Sequence, residues 1–480
     1  MSQDSPNSPE NLVPESSLKW YEGITRYQWL VLVVASLGWV FDIFEGQIFV
    51  ASMNDAMPHL LGVSQDHELV AKWNNYALAS FLLGGAFGGI LFGMLSDRIG
   101  RSKTMIITIL FYSVFTWITS FSQAPWHMVA LRFLVAMGVG GEWAVASAMV
   151  AEVMPKRSRS WMSSVFHATS VFGTLMAVAV TALISGGTDA DPEGWRIGFR
   201  VGIVPALLVI VIRFGMKEPE QWTRAKEREK EDQTQATGSI RELFSSENSR
   251  NTLVGFLLAT IGLVTFWGSH IYGKDALNSR AKAAAWKAEE VNLKIPDGLE
   301  GKELENAKKE LREAKEAAEK KHAGAITRTR MLCMALNTIG GGIGLVLFGW
   351  ISNHLGRRLT FAVYHAVALV VALIMFLYMI PQNAPYEVMC VFLPIFGFFT
   401  LGMHAGYAVY FPELFATRLR GTGTGFCFNA GRFGSAAAMF IAATLSWQRN
   451  QTALYLAFLF ALGIIVPLMA KETRDEDLPD

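Results

Sequence analysis

The chain has 480 residues, of which 51% are apolar and only 17% charged, with a formal net charge of +1. Soluble domains carry roughly 25% charged residues, so this balance argues against a soluble enzyme with a buried core. The absence of a basic patch with interleaved aromatics argues against nucleic acid as a partner. Cys333, Cys390 and Cys427 all lie inside apolar runs and read as small buried hydrophobes, with neither a disulfide framework nor a metal-ligand spacing.

Residues 1 to about 19 are rich in Ser, Pro, Asn and Glu, and the tail 1–25 is expected to be disordered. The first apolar run follows no basic stretch and is too long for a signal peptide, so it predicts a retained first span. Twelve spans are expected, near 27–53, 73–95, 103–122, 126–152, 160–186, 196–215, 251–272, 326–351, 358–380, 386–411, 420–444 and 452–470. Lys and Arg collect in the loops after the even-numbered spans, for example Arg98, Arg101 and Lys103, or Lys156, Arg157 and Arg159. The loops after spans three, five and nine hold none, which places both termini in the cytoplasm. A six-span bundle is expected over 26–215, a charged cytoplasmic linker over 216–250, a second bundle over 251–470 and a cytoplasmic tail over 471–480. The segment 273–325 breaks the charge pattern with twelve Lys or Arg, balanced by eleven Asp or Glu. Its Ala-Lys-Glu stretches predict an exported helical hairpin, broken at Ile295-Pro296-Asp297-Gly298, that is either a solvated cap or a lid.

Two internal matches divide the chain. Gly93-Met94-Leu95-Ser96-Asp97-Arg98-Ile99-Gly100-Arg101 returns 256 positions later as Gly349-Trp350-Ile351-Ser352-Asn353-His354-Leu355-Gly356-Arg357. Glu152 and Arg159 return as Glu413 and Arg420 at an offset of 261. Two related halves place a binding site at the midplane, with the halves rocking about it.

A charge at mid-bilayer costs about 2.5–3.5 kcal/mol on insertion scales, so each one asks for a reason. Asp42 and Glu45 share a face of span one, and either is a candidate proton carrier; Glu142, in the Gly138-Val-Gly140-Gly141-Glu142 run of span four, is a third. Arg132 reads as a structural or gating ion pair. Arg432, three residues after Asn429, stays protonated and requires an anion, either a protein carboxylate such as Asp42 or Glu45, or the substrate. His404, Tyr407 and Asn337 are candidates for neutral hydrogen bonds. For His167 and His270 a packing role competes with substrate contact.

The repeated hinge resembles the signature loop of the major facilitator superfamily, which lies between the second and third helices and again between the eighth and ninth. Asp42-Ile-Phe-Glu45, the stretch from Arg132 to Trp143, and Pro412-Glu413 through Gly423 with Asn429 and Arg432 are similar to motifs of one branch. That branch holds the metabolite–proton and sialate/monocarboxylate symporters, with organic anion carriers close by. The resemblance implies anion binding at Arg432. It also implies a latch at Asp97, Arg98 and Arg101 that holds the cytoplasmic ends together in an outward-open state. Gly93, Gly100, Glu152, Arg159, Gly349, Gly356, Arg357, Glu413 and Arg420 in the repeated motifs, and Arg132 in span four, are expected to be gating or conformational residues. Lys217-Glu218-Pro219-Glu220-Gln221-Trp222 and Lys471-Glu472-Thr473 resemble sugar porters instead.

The expectation is therefore an all-α membrane protein of twelve transmembrane helices in two six-helix pseudo-repeats. It is a secondary transporter and not an enzyme: no nucleophile–base pair, metal cluster or phosphate-binding loop stands out. The leading reading is symport of a small organic anion, a carboxylate first among them, with protons. A proton-coupled porter of sugars or other neutral metabolites, and a substrate sensor with a transporter fold, are the alternatives. No cofactor is implied beyond the proton gradient, and the chain reads as a functional monomer in the cell membrane.

Overall fold

A computed structural model describes residues 19–63, 67–185, 193–273, 276–296, 300–445 and 449–480. The chain is helical throughout these residues. Its first half holds α1 (Arg26–Leu61), α2 (Glu68–Ile99), α3 (Arg101–Thr119), α4 (Pro125–Val153), α5 (Lys156–Ala168), α6 (Ser170–Ser185), α7 (Trp195–Val201) and α8 (Leu208–Gly215). The linker helix α9 (Glu220–Glu231) leads to α10 (Ser249–Thr265), which runs through a π-helical turn at Phe266–His270 into α11 (Ile271–Gly273). Two charged helices, α12 (Ala276–Ala288) and α13 (Gly301–Lys321), precede α14 (Ala323–Leu355) and α15 (Arg357–Leu373). The last part comprises α16 (Tyr386–Gly402), α17 (Ala405–Tyr410), α18 (Arg420–Thr444), α19 (Arg449–Ala457) and α20 (Leu459–Ile465).

Ten stretches among the described residues are long and apolar enough to cross a bilayer. The expected spans near 160–186 and 420–444 are helical as well, as α5 with α6 and as α18, but the first is interrupted at Thr169 and the first halves of both are rich in polar side chains. Packing supplies the reason. α5 lies against α14 and α17, and α18 lies against α2 and α4, so each covers its Ser, His, Thr, Asn and Arg side chains with the opposite half of the chain rather than with lipid.

The two sequence offsets reappear as geometry. A Cβ on Gly84 of α2 would stand 2.1 Å from the carbonyl oxygen of Phe133 on α4, and one on Gly340 of α14 would stand 2.0 Å from that of Pro394 on α16. Gly84 and Gly340 differ by 256 and Phe133 and Pro394 by 261, the same spacings that relate the motifs. Only glycine lets these helix pairs approach so closely.

The tail expected to be disordered differs in part. Residues 1–18 lie outside the described residues, but Trp20–Gly23 form a turn. Trp20 packs on Trp161 at 5.2 Å, and its carbonyl accepts from Ser158, which holds the turn to α5. The charged hairpin forms: Lys282 and Trp286 of α12 both donate to Glu319 of α13 at 2.5 and 3.1 Å, and Lys321 and His322 meet Glu289 at 2.6 and 2.9 Å. Arg280 fastens it to the turn before α16 by donating to the carbonyls of Asn383 and Ala384. Of the expected break, Asp297 and Gly298 lie outside the described residues.

Candidate functional site

Between the two halves lies a cavity of about 430 Å³. α1 contributes the face Trp39, Asp42, Ile43, Gly46, Gln47 and Val50, a 3.6-residue periodicity, and α2 contributes Leu78, Phe81 and Leu82. The opposite half adds Phe266 and Trp267 from the π-helical turn, Arg330, Met334 and Thr338 from α14, and Phe428 and Arg432 from α18. The wall is mainly aromatic and apolar, with few polar groups, which is the usual make-up of a small-molecule site.

Asp42 is buried, and among the described residues neither carboxyl oxygen meets a donor in hydrogen-bonding geometry, although the Tyr112 hydroxyl lies beside it. Glu142, Glu45 and Arg432 are the charged groups in its electrostatic reach. Arg432 forms no ion pair within 4 Å among the described residues; it lies across Gly85 of α2, whose missing side chain leaves room for the guanidinium. Glu45 points elsewhere: it pairs with Arg132, accepts from the Thr116 hydroxyl at 3.2 Å, and Arg132 is held between the rings of Phe49 and Phe199. Glu142 accepts from Thr108 at 3.0 Å and faces Gly38, behind α1 rather than in the cavity.

His167 and His404 border the cavity, each beside an interruption of its helix, after Ala168 and after Gly402. The Nδ1 of His167 accepts from Trp143 at 3.1 Å, so its ring is the neutral tautomer with the proton on Nε2. The other expected contacts lie off the cavity. The Asn429 amide donates to the carbonyls of Gly140 and Gly425 at 3.3 and 3.1 Å, and the Tyr407 hydroxyl donates to that of Leu258 at 3.2 Å. Asn337 packs against Gly397 of α16. His270 is bonded to Thr400 at 2.7 Å and stacked between Phe266 and Phe396. Sequence reasoning did not single out Trp39, Phe266, Phe428 or Arg330 as site residues. The signal in each case is helical spacing from a residue it did single out, such as Trp39 three residues before Asp42.

Below the cavity, four buried charges tie the halves together. Asp97 at the end of α2 accepts from the Gly421 and Thr422 amides at 3.0 and 2.7 Å and from the Thr422 hydroxyl at 2.5 Å, all at the start of α18. A carboxylate at a helix N-terminus meets free N–H groups and the positive end of the dipole. Arg101 pairs with Asp97, grips Glu152 at 3.2 and 2.7 Å and donates to the Thr417 carbonyl at 3.0 Å. Arg420 then reaches the same Glu152 oxygen at 2.9 Å. The second copy is quieter. Arg357 grips Glu413 at 3.0 and 2.9 Å and donates to Asn353 at 3.2 Å, but the bond Asn353 makes to the other half is neutral, accepting from Ser160 at 2.5 Å. Arg98 donates to the linker at Gly238 and Arg159 to the Ala151 carbonyl, so neither shares the four-charge cluster.

Gly93 and Gly349 are contact points, where a Cβ would stand 2.5 Å from the Gly421 carbonyl and 2.4 Å from that of Ser160. Gly100 and Gly356 have φ of +112° and +85° and turn the chain into the next helix. There Glu218 accepts from the Arg101 and Ser102 amides at 2.6 and 3.2 Å, and Glu472 accepts from those of Arg357 and Arg358 at 2.8 and 3.2 Å. The two sugar-porter-like stretches are thus one device used twice, a glutamate capping the helix after each hinge.

Comparison with known proteins agrees with this architecture. Residues 29–249 match the family model described as sugar (and other) transporter. The chain is 30% identical to the cis,cis-muconate transport protein of Acinetobacter baylyi over 83% of this chain and 85% of that one. It is 25% identical to a probable 4-methylmuconolactone transporter of Cupriavidus pinatubonensis over 95% and 93%. Its fold is that of the major facilitator superfamily proton:xylose symporter XylE bound to 6-bromo-6-deoxy-D-glucose, with a TM-score of 0.67 and 16% identity over 94% of this chain and 98% of that one. The chain is therefore a multi-pass membrane protein that belongs to the sugar (and other) transporter family of the major facilitator superfamily, a metabolite carrier and not an enzyme.

Proposed function

We propose that the chain is a symporter of a small organic carboxylate and protons, with Arg432 as the anion-binding group and Asp42 as the proton carrier. The observation that supports this most is that Arg432 and Asp42 border one cavity, while Arg432 has no ion pair among the described residues. An unpaired guanidinium inside an apolar wall calls for an anion from outside. An ionised carboxylate without a donor is equally costly, so Asp42 is stable either neutral or when Arg432 is close; a proton on Asp42 leaves Arg432 to the substrate anion, and substrate and proton favour each other's binding. The named cargo of the two relatives is an organic acid or its lactone, which agrees with this reading.

The halves 26–215 and 251–470 move as the two rocking bundles, with 216–250 as the linker on the cytoplasmic side. The latch end is cytoplasmic in this reading, because Lys and Arg gather there, and the cavity faces outward. The fold also suits a proton-coupled sugar porter, and the aromatic wall of Trp39 and Trp267 favours that second reading.

Uptake into proteoliposomes separates the two. A monoanion moving with one proton is electroneutral and is driven only by the pH gradient, about 1.4 kcal/mol per unit. A neutral sugar moving with one proton also draws on the membrane potential, about 2.3 kcal/mol per 100 mV. Carboxylate uptake that follows pH, ignores clamped voltage and disappears in Arg432→Ala supports the carboxylate symporter. Voltage-dependent sugar uptake, or carboxylate uptake indifferent to Arg432, overturns it.

A further inference from the structure

Arg330 takes no part in the cycle just described. It stands on the face of α14 that also presents Met334 and Thr338, one and two turns further on, and all three border the cavity. Its side chain is exposed and makes no ion pair within 4 Å among the described residues. Among the described residues that border the cavity, Asp42 is the one acid, against the two arginines Arg330 and Arg432.

The two arginines sit at different depths. α18 leaves the latch at Gly421, bonded to Asp97, and α14 leaves it at Asn353, bonded to Ser160. At about 1.5 Å per residue, Arg432 lies about 16 Å and Arg330 about 35 Å from the latch, roughly 18 Å apart along the helix axes. Helical side chains lean toward the N-terminus of their helix, which for Arg330 is away from the latch and for Arg432 is toward it. A small carboxylate cannot engage both at once.

We propose that Arg330 forms a separate outer station for anions at the mouth of the cavity, which captures a small organic carboxylate before it reaches Arg432. The carboxylate identity rests on the proposed function above; the anion preference rests on the position of Arg330 alone. A cation on the wall of a low-dielectric cleft focuses the field along it, raises the local concentration of anions and speeds their entry, an effect that salt screens. Because the group is exposed and unpaired, it acts on arrival rather than on depth of binding.

The test uses Met334→Cys in a Cys390→Ala background, with Cys390→Ala alone as the control for Cys333 and Cys427. The new thiol is labelled with methanethiosulfonates carrying either a sulfonate or a trimethylammonium group, with Arg330, Arg330→Gln or Arg330→Lys. The expected result is an anion-to-cation labelling ratio that falls several-fold in Arg330→Gln, survives in Arg330→Lys, and loses its dependence on residue 330 between about 20 mM and about 500 mM salt. A ratio that ignores residue 330 overturns the proposal. The readout needs no substrate, so it stands even where carboxylate uptake fails. A second arm measures uptake with cis,cis-muconate as the probe. Here Arg330→Gln is expected to raise KM several-fold at unchanged maximal rate, while Arg432→Ala abolishes uptake. Abolition by both variants, with labelling unchanged, would mean one joint site and sink the two-station arrangement.

Discussion

Asp42 and Glu45 stand one turn apart on α1, yet Glu45 is paired with Arg132 while Asp42 borders the cavity with no cation within 4 Å among the described residues. Two carboxylates that the sequence presents as equivalent are therefore different instruments. Asp42→Asn is expected to leave folding intact and abolish accumulation driven by a pH gradient, while exchange of labelled for unlabelled substrate continues. Glu45→Gln leaves Arg132 buried without its carboxylate, a loss of about 3–5 kcal/mol when one partner of a buried pair is removed. It is expected to lower the thermal midpoint in detergent. Uptake, exchange and unfolding on the same preparations check both; a folded Asp42→Asn that still accumulates substrate would move the proton carrier elsewhere.

Arg432 predicts a different separation. Its guanidinium has no ion pair to lose among the described residues, so Arg432→Ala is expected to unfold at about the parent temperature. A charge-assisted hydrogen bond contributes about 1.5–3 kcal/mol, so carboxylate affinity should fall about 10- to 150-fold. Quenching of tryptophan fluorescence reads the affinity directly, because Trp39 and Trp267 border the same cavity.

At the latch, Asp97→Asn removes the charge that Arg101 and the start of α18 share. The expected outcome is a shift of population toward the state with the latch end open. Spin labels on either side of that end would show a longer distance than in the parent. Glu152→Gln leaves Arg420 without a carboxylate among the described residues and Arg101 with Asp97 alone, and is expected to cost more, about 3–5 kcal/mol, as loss of fold rather than as a shift. Equal effects of the two changes would mean that the cluster is packing and not a latch.

The linker offers a pH dependence outside the membrane. Partial burial works against the Glu229 carboxylate, but hydrogen bonds from Lys226 and from the Thr237 amide and hydroxyl outweigh it and hold its pKa below the usual value. A depressed carboxyl adds stability above its ordinary range and loses it as pH falls through the lowered value. Amide exchange at Gln235–Gly238 is therefore expected to be slow at neutral pH and to quicken below about pH 4, with no such step in Glu229→Gln.

How much of this the chain declared in advance follows from what each residue costs. The cluster of Asp97, Arg101, Glu152 and Arg420 was legible in part, because its residues sit in motifs that repeat, and the same two offsets carry over to Gly84 and Gly340, whose roles appear only when α4 and α16 are set beside them. Asp42 and Arg432 were legible because a charge in hydrocarbon is expensive. Asn429, Tyr407 and His270 were less so: a polar atom in a membrane can be satisfied by a carbonyl or a hydroxyl of a neighbouring helix, as the Asn429 amide nitrogen, the Tyr407 hydroxyl and the His270 Nδ1 are. Trp39, Phe266 and Phe428 have no compositional mark that separates a cavity wall from a lipid face. Arg330 lies within two turns of the start of α14, where an arginine reads as an interfacial anchor.

The two seams of the closed end are not equally strong. Between α2 and α18 a carboxylate is held by two amides and a hydroxyl; between α5 and α14 an asparagine is held by one serine. Charge-assisted bonds are roughly twice as strong as neutral ones, so in the proposed rocking cycle the α5–α14 seam is expected to part first. In that cycle the exit for cargo is expected off the molecular axis, beside Ser160 and Asn353, as a slit along one side rather than a pore opening at the centre.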